Sequence, residues 1–311
     1  MTETVPGAQV APAVPAGDPA ERTPMGTPVD GVEVLGALSP SRASDFRSCP
    51  LQFRFRTIDR LPEPVSPAAM RGNVVHKVLE DLFDLSAPER TPERAQALVQ
   101  QAWEQVLAVE PGAAEMFAGE AEQLTDWLAS CRESLARYFD LEDPRRLEPA
   151  HREEYVETLL ESRLLLRGVV DRIDVAPDGA IRVVDYKTGH SPAVGFEGQA
   201  LFQMRFYALV IWRTRGVVPA LLRLIYLGDG EMVSYVPDEA DLLATERLVQ
   251  ALWEAIRTAR ETGDWRPSPG PRCAWCSFQQ VCPAFGGTPP PLPVREEPPA
   301  EPDIPAQTDA R

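Results

Sequence analysis

The segment VVDYKTG, Val183–Gly189, lies near the middle of a 311-residue chain and decides how the rest is interpreted. Apolar residues lead into Asp185, and Lys187 follows two positions later. Because side chains alternate along a strand, Asp185 and Lys187 point to the same face. Of the 31 basic residues only Lys77 and Lys187 are lysine. Lysine is compact and its pKa can be shifted, unlike that of arginine, so a lysine at this position indicates chemistry.

A second acid precedes this strand. Asp171 follows the apolar run LLLRGVV, and the turn signal Pro177–Gly179 predicts a hairpin that brings Asp171 to Asp185. Two carboxylates from adjacent strand ends make an oxygen site suited to Mg²⁺ or Mn²⁺. A lysine beside such a site can offset charge on a phosphate or orient a water. The alternative is a pair of solvated charges, since D-x-K is short and often occurs by chance.

Hydrophobic periodicity places helices mainly before and after a group of strands. Helices are predicted from a Ser cap at 39–41 and over 71–85, 92–109, 113–140, 196–215 and 238–261. Strands are predicted over 151–160, 163–175, 180–188, 219–227 and 231–236. This order predicts an α/β protein whose mixed-sheet core is flanked by helices, with an N-terminal helical part.

The two ends of the chain differ in composition from the middle. Residues 1–37 are rich in Pro and Ala, and residues 287–311 in Pro and Glu, which predicts disordered tails. Between them, 38–286 is predicted to be one domain with a helical insertion at about 86–148. No apolar run approaches the roughly 18–20 residues of a membrane helix. The N-terminus lacks the features of a signal peptide, so we expect a cytoplasmic protein without a membrane partner.

The charge distribution is uneven. A net charge of −16 argues against a protein that coats nucleic acid generally. Residues 42–77 nevertheless hold seven basic and three acidic side chains. This segment is either a solvated helix face or a groove that follows a phosphate backbone.

The five cysteines indicate a metal centre. Cys273, Cys276 and Cys282 form C-x-x-C-x-x-x-x-x-C, and clustered thiols in a chain without a signal peptide favour metal over disulfides. The fourth ligand is Cys49 or Cys131. Cys131 lies within a long predicted helix and is expected to be a small buried residue, so Cys49 is assigned. One distant cysteine plus a group of three favours a [4Fe–4S] cluster, with Zn²⁺ as the alternative.

Six segments together resemble the RecB-type nucleases of the PD-(D/E)XK superfamily, in the iron–sulfur branch that includes the AddB nuclease domain and the CRISPR-adaptation exonucleases. They are CPLQFRFR, RGNVVHKVLE, GVVDRIDV, VVDYKTG, QMRFYAL and CAWCSFQQVCP, in the family's order. They span about 38–286, nearly all of the predicted domain. The resemblance implies a restriction-endonuclease-like fold closed by an iron–sulfur clamp at 273–282.

The same resemblance implies a metal ion held by His76, Asp171, Asp185 and the carbonyl of Tyr186, with Lys187 as the catalytic lysine. Such an ion lowers the pKa of a bound water and polarises the scissile phosphate. Lys187 is then expected to position that water and to offset charge in the transition state.

Further residues follow from the resemblance. Gln203 and Tyr207 match the family's Q-x-x-x-Y pair, which the i, i+4 spacing places on one helix face. Glu154 is a looser candidate for the family's upstream acid. The implied cluster ligands are Cys49, Cys273, Cys276 and Cys282.

The expected function is a metal-dependent DNA exonuclease acting on single-stranded DNA or processed DNA ends in repair and recombination. The Arg-rich segment is expected to guide a single strand, while Phe53 and Phe55 are expected to pack in the core rather than stack on bases. The chain has no P-loop, so a helicase must act in trans or the substrate is already single-stranded. The alternatives are a catalytically silent iron–sulfur DNA-binding module, an accessory subunit of a helicase–nuclease complex, and an enzyme acting on RNA.

Overall fold

A computed structural model describes residues 28–29, 31–117, 120–193 and 198–293. Most of both predicted tails, residues 1–27 and 294–311, therefore lies outside the described residues. Among the helices in this part of the chain, none is both long and apolar enough to cross a bilayer.

Six strands of the described residues form one mixed sheet. They are β1 (Gly36–Leu38), β2 (His151–Leu159), β3 (Leu164–Val175), β4 (Ile181–Lys187), β5 (Leu221–Tyr226) and β6 (Glu231–Tyr235). β2 pairs antiparallel along one edge of β3. On the other edge, β1 pairs parallel with the start of β3, and β4 pairs antiparallel with its end. β4 continues parallel to β5, and β5 antiparallel to β6.

Helices cover both faces of this sheet. They are α1 (Pro40–Ser48), α2 (Pro50–Phe53), α3 (Pro67–Leu82), α4 (Pro92–Val109), α5 (Ala121–Leu141), α6 (Gly198–Arg215) and α7 (Glu239–Thr262). Alternate residues of β4 enter different cores. Val183 packs in the core with α1, α2, α6 and α7, whereas Val184 and Tyr186 pack in the core with α3, α4 and α5. The sheet is thus the middle of three layers, as the predicted α/β class requires.

Three helices begin in the same way, at a Ser-Pro or Thr-Pro pair. The side-chain oxygens of Ser39, Ser66 and Thr91 each accept a hydrogen bond from the backbone N–H three residues later. Proline then occupies the first helical position, where its missing N–H costs nothing. These local signals fix where α1, α3 and α4 start.

Some predicted boundaries are wrong. The predicted helix over 113–140 begins only at Ala121, after a 3₁₀ turn at Pro111–Phe117. The helix predicted from the Ser cap at 39–41 breaks at Cys49, whose extended backbone (φ −161°) is what Pro50 favours in the residue before it.

The ordered chain also extends into both predicted tails. Gly36 and Ala37, inside the first predicted tail, belong to β1. Gly287 donates its N–H to the Cys282 carbonyl at 3.0 Å, and the Arg54 guanidinium donates to the carbonyl of Pro290. These segments are rich in Pro and Gly and are held by backbone contacts, which leave no hydrophobic pattern in the sequence. Composition alone therefore predicted disorder there.

A buried ion network joins the sheet to the helical layer. Arg172 of β3 is 1% exposed. It lies 2.9 Å from a carboxylate oxygen of Glu142, just after α5, and 3.2 Å from Asp174. Its guanidinium also donates to the Tyr186 hydroxyl at 2.5 Å. Because each buried charge has lost its hydration, each depends on its partner.

Replacing Arg172 with Met should therefore destabilise the fold. The Glu142 carboxylate is only 6% exposed. Without Arg172 it would be left with Arg182 and Arg223, each 3.9 Å away. Removing one partner of a buried pair costs about 3–5 kcal/mol, and we expect the lower end here. Thermal unfolding followed by circular dichroism should show a fall of roughly 6–12 °C. The double variant Arg172→Met/Glu142→Gln should recover part of it, and an unchanged melting temperature in Arg172→Met would contradict this role.

Candidate active site

The predicted pair of acids lies where two strands separate. Pairing between β3 and β4 runs up to Arg172 opposite Val184 and then stops. Asp171 and Asp185 are the next residues on the two strands. The Tyr186 N–H donates to Asp171 Oδ2 at 2.7 Å, which holds that carboxylate across the gap. The structure thus brings Asp171 and Asp185 to one fork in the sheet.

Lys187 belongs to a network with the helix that follows β4. Its Nζ lies 2.6 Å from Asp185 Oδ2 and donates to Gln203 Oε1 at 3.0 Å. Gln203 Nε2 in turn donates to Asp185 Oδ1 at 2.9 Å and lies 3.2 Å from the Tyr207 hydroxyl. Gln203 and Tyr207 are one turn apart on α6. All four side chains therefore belong to one hydrogen-bonded unit.

His76 approaches the fork from the opposite layer, on α3. Its Nε2 lies 2.9 Å from the Tyr186 carbonyl oxygen, and its Nδ1 lies 3.5 Å from Asp171 Oδ2. The alternation of β4 explains how this happens: the Asp185 side chain faces α6, while the Tyr186 side chain enters the helical core beside α3.

The structure adds an acid that sequence reasoning missed. Glu153, not Glu154, lies at the fork, with Oε1 3.9 Å from His76 Nδ1. His76, Glu153 and Asp171 offer ligand atoms that all lie within 4.8 Å of one another. Glu154 points elsewhere, 3.5 Å from His151 and 4.0 Å from Arg215.

Glu153 and Glu154 are adjacent in the sequence EEY, which contains no local signal for which of them faces the fork. Glu153 has φ 43°, in the left-handed region that non-glycine residues rarely adopt. Glu153 has no paired residue on β3, although the residues on both sides of it do. The neighbouring pairs, Arg152 with Arg172 and Glu154 with Val170, place Glu153 across from Asp171. Strand register therefore selects Glu153, and the sequence alone does not give that register.

The site is electrostatically crowded. Burial, and then the charge of Asp171, raises the pKa of Asp185 to about 6, although Lys187 acts in the opposite direction. Burial and Asp171 likewise raise the pKa of Glu153 to about 7. Burial lowers the pKa of His76, but the surrounding carboxylates outweigh it and the net direction is upward. Carboxylates that hold protons this tightly are short of positive charge.

These residues fit a divalent cation. The donors are carboxylate oxygens, a backbone carbonyl and an imidazole, a set that suits Mg²⁺ or Mn²⁺. His76 Nε2 and the Tyr186 oxygen lie 2.9 Å apart, at hydrogen-bonding distance.

A cavity of about 700 Å³ opens beside the hydrogen-bonded unit of Lys187, Asp185, Gln203 and Tyr207. Gln203 and Tyr207 form part of its wall, opposite the start of α1. Gly168 of β3 lies against Tyr207: a Cβ at this position would stand 2.7 Å from the ring. Glycine therefore permits the close approach that keeps the Tyr207 hydroxyl beside Gln203.

The four cysteines assigned from the sequence also converge. Cys49, Cys273, Cys276 and Cys282 line one cavity of about 280 Å³. Burial raises the pKa of Cys276, and the charges of the other three thiols add to this. A positively charged group between the four sulfurs would offset this repulsion and favour the thiolate forms. Cys131 lies fully buried in α5 and takes no part.

Four cysteine sulfurs at one cavity are a ligand set for either a tetrahedral Zn²⁺ or an iron–sulfur cluster. Backbone N–H groups of Ser268 and Gly270 lie 3.4 Å from Cys49 Sγ and Cys273 Sγ, as at cluster sulfurs.

The Arg-rich segment is less free than its charge suggests. Arg54 is buried and pairs with Asp59 at 2.9 Å. Arg56 pairs with Asp45 and Glu63 at 2.7 and 2.8 Å. Much of this charge thus stabilises the turn after α1.

The two phenylalanines of that segment pack inside the protein. Phe53 and Phe55 are 3% and 1% exposed, as predicted. They are therefore not available for stacking on a nucleic acid.

The mixed sheet carries two acids and a lysine where two of its strands separate, an arrangement that suits phosphodiester hydrolysis. The sequence model of the PD-(D/E)XK nuclease superfamily matches residues 37–283, which is most of the chain. The chain belongs to that superfamily.

Individual relatives are more distant. The chain is 30% identical to the Gene 69 protein of Mycobacterium phage L5 over 124 residues, 39% of this chain and 40% of the relative. It is 31% identical to the Gene 69 protein of Mycobacterium phage D29 over 138 residues, 43% of this chain and 48% of the relative. The aligned region thus spans less than half the length of these curated relatives.

One solved structure shares the fold. The crystal structure of a "Putative exonuclease" from Eubacterium rectale superposes with a TM-score of 0.54 at 15% identity. The match covers 82% of this chain and 90% of that one. At this identity the likeness extends to the fold alone.

The raised carboxyl pKa values predict how pH acts on the metal-free protein. Asp185 and Glu153 hold protons more tightly when folded than when unfolded. Their protonation therefore stabilises the fold fully below about pH 4, and this contribution is lost as pH rises through 6 and 7. We expect the melting temperature to fall over that window without metal. Mn²⁺ binding should tighten over the same window and restore the loss, because the ion replaces the protons.

Glu153→Gln should remove the part of this dependence near pH 7, and Glu154→Gln is the matched control one residue away. Calorimetric Mn²⁺ titrations and thermal scans at several pH values measure both effects. Equal behaviour of the two variants would show that Glu153 does not face the ion.

Proposed function

We propose that this protein is a metal-dependent deoxyribonuclease that hydrolyses phosphodiester bonds, acting as an exonuclease on single-stranded DNA or processed DNA ends. The observation that carries the proposal is the position of Lys187. Its ammonium group lies 2.6 Å from Asp185 and 3.0 Å from Gln203, at the fork that also holds Asp171. A charged lysine held beside a dication site, next to an open cavity, suits a phosphate better than a neutral substrate.

Each residue has a separate task in this proposal. His76, Asp171, Asp185 and the Tyr186 carbonyl hold the divalent ion, which when bound activates a water and polarises the phosphate. Glu153 joins this set from β2.

The lysine and its helix partners act on the substrate side of the site. Lys187 donates to a non-bridging phosphate oxygen and offsets the charge that develops there. Gln203 bonds to both Lys187 and Asp185 and so fixes their relative position, and Tyr207 lies within hydrogen-bonding distance of Gln203.

Two observations support nuclease activity, and a third bears on the form of the substrate. The superfamily is one of nucleases, and a structure that shares the fold carries the name exonuclease. The chain also contains no P-loop, so duplex unwinding would come from a helicase in trans. RNA shares the phosphate chemistry and is therefore the first substrate to compare.

The decisive experiment is cleavage of labelled DNA by anaerobically purified protein with Mn²⁺ or Mg²⁺. Lys187→Ala should lower the rate by at least a hundredfold, as expected for loss of transition-state charge stabilisation. The control is Lys77, the only other lysine, which pairs with Glu80 and Asp81 on the outside of α3. The variant Lys77→Ala should retain activity. Circular single strands should resist the wild-type enzyme if it requires an end, while labelled RNA tests the sugar.

Equal cleavage by wild type and Lys187→Ala would overturn the role of Lys187. No cleavage by wild-type protein that still binds DNA would favour the second candidate, a silent iron–sulfur DNA-binding module or accessory subunit of a helicase–nuclease complex.

We further propose that the four-cysteine cavity holds a [4Fe–4S] cluster. The convergence of one distant cysteine and a group of three on one cavity supports this. Cys49 lies between α1 and α2, while the other three ligands follow α7. The cluster would therefore clamp the first helices to the end of the domain.

Replacing Cys49 with Ser should abolish or weaken the cluster, since one ligand is lost. Protein purified without air should lose most of its iron and its visible absorption, and should melt at a lower temperature. Cys131→Ala is the control: it removes a thiol that lies in the helical core and should keep the iron. Zinc instead of iron in the wild-type protein would refute the cluster.

A further inference from the structure

Two aromatic side chains stand in solvent beside the cysteine cavity. Trp275 is 82% exposed and Phe285 is 52% exposed. Trp275 lies between Cys273 and Cys276, and Phe285 lines the cavity itself. Among the described residues, the next most exposed aromatic side chain is that of Tyr155, which is 38% exposed. Large aromatic groups left in water at one place indicate a binding surface.

One helix connects this place to the catalytic cleft. The first residues of α1, Pro40 and Ser41, line the cavity beside Gln203 and Tyr207. Its last residue, Ser48, lines the cysteine cavity. A nine-residue helix is about 13 Å long. A strand that leaves the catalytic cleft along α1 thus reaches the cysteine cavity after roughly four stacked nucleotides of about 3.4 Å each.

The path between the two cavities has the charge that a phosphate backbone needs. Residues 40–48 and 271–287 contain three arginines, Arg42, Arg47 and Arg272, and one acid, in a chain of net charge −16. Arg54 and Arg56 are held in ion pairs and are not counted. The exposed arginine Arg272 donates to the Ser48 hydroxyl at 2.7 Å, which ties the cysteine turn to the end of α1. Arg47, also exposed, lies 4.6 Å over the Phe202 ring of α6. Basic groups and exposed aromatics along one path are the elements of single-strand binding surfaces.

We propose that Trp275, supported by Phe285, is a stacking platform for the bases of a single-stranded nucleic acid whose other end lies in the catalytic cleft. The proposal rests on the nuclease function proposed above and adds the form of the substrate and the direction of its path. Stacking on an aromatic ring does not depend on base identity, so binding should be insensitive to sequence. A duplex keeps its bases stacked on one another and gains nothing from the platform.

The test is the length dependence of binding. Fluorescence anisotropy would measure the dissociation constants of labelled single strands of about 4 and about 12 nucleotides. The background is Lys187→Ala, so that the strands are not degraded. The longer strand should bind more tightly than the shorter one. Trp275→Ala should weaken binding of the longer strand about tenfold, a typical loss for one stacked base, and should leave the shorter strand unchanged.

The controls separate stacking from folding. Trp275→Phe should restore most of the affinity, because a smaller ring still stacks. Val109→Ala removes an equally exposed apolar side chain (85% exposed) at the end of α4 and should change nothing. Iron content and visible absorption should be the same in all variants.

The proposal is overturned if Trp275→Ala binds both strands like the Val109→Ala control while its iron content is normal. It is also overturned if the variant loses affinity equally for both lengths, or if only the variant's self-association or its binding to a partner protein changes. The result is independent of cleavage: length-dependent binding that requires Trp275 supports the platform even if wild-type protein proves to have no nuclease activity.

Discussion

The repulsion between two carboxylates at one fork in the sheet is the constraint on which the rest of the site depends. Asp171 and Asp185 come together because β3 and β4 pair in register until just before them and then separate. Burial makes their charges costly, as the raised pKa of Asp185 shows. Lys187 and His76 offset part of that cost, and a divalent cation would offset the remainder.

The fork also explains why three layers meet at this point. A side chain on one face of β4 meets α6, and the backbone carbonyl of the next residue meets His76 on α3. A site built from both faces of a sheet is held by two independent cores. Its geometry therefore depends on both helical layers, since His76 comes from α3 and Gln203 from α6.

The cysteine cavity has a second consequence for the cleft. Cys49 ends α1, and the other three cysteines lie after α7, so a bound cluster would join segments that are far apart in the chain. The first turn of α1 lines the cleft at the other end of the same helix. The position of one wall of the cleft then depends on the cysteine site, and this link ties chemistry at the fork to the surface that carries Trp275.

The sequence by itself determined the order of helices and strands, the D-x-K element, the i, i+4 pair on α6 and the four cysteines. These depend on periodicity, alternation and spacing, which act over a few residues. Only the tertiary structure decided that Glu153 rather than Glu154 faces the fork, since this depends on strand register. It also decided that Trp275 is exposed. Which apolar side chains are covered depends on packing between segments distant in the chain, and local sequence does not contain that information.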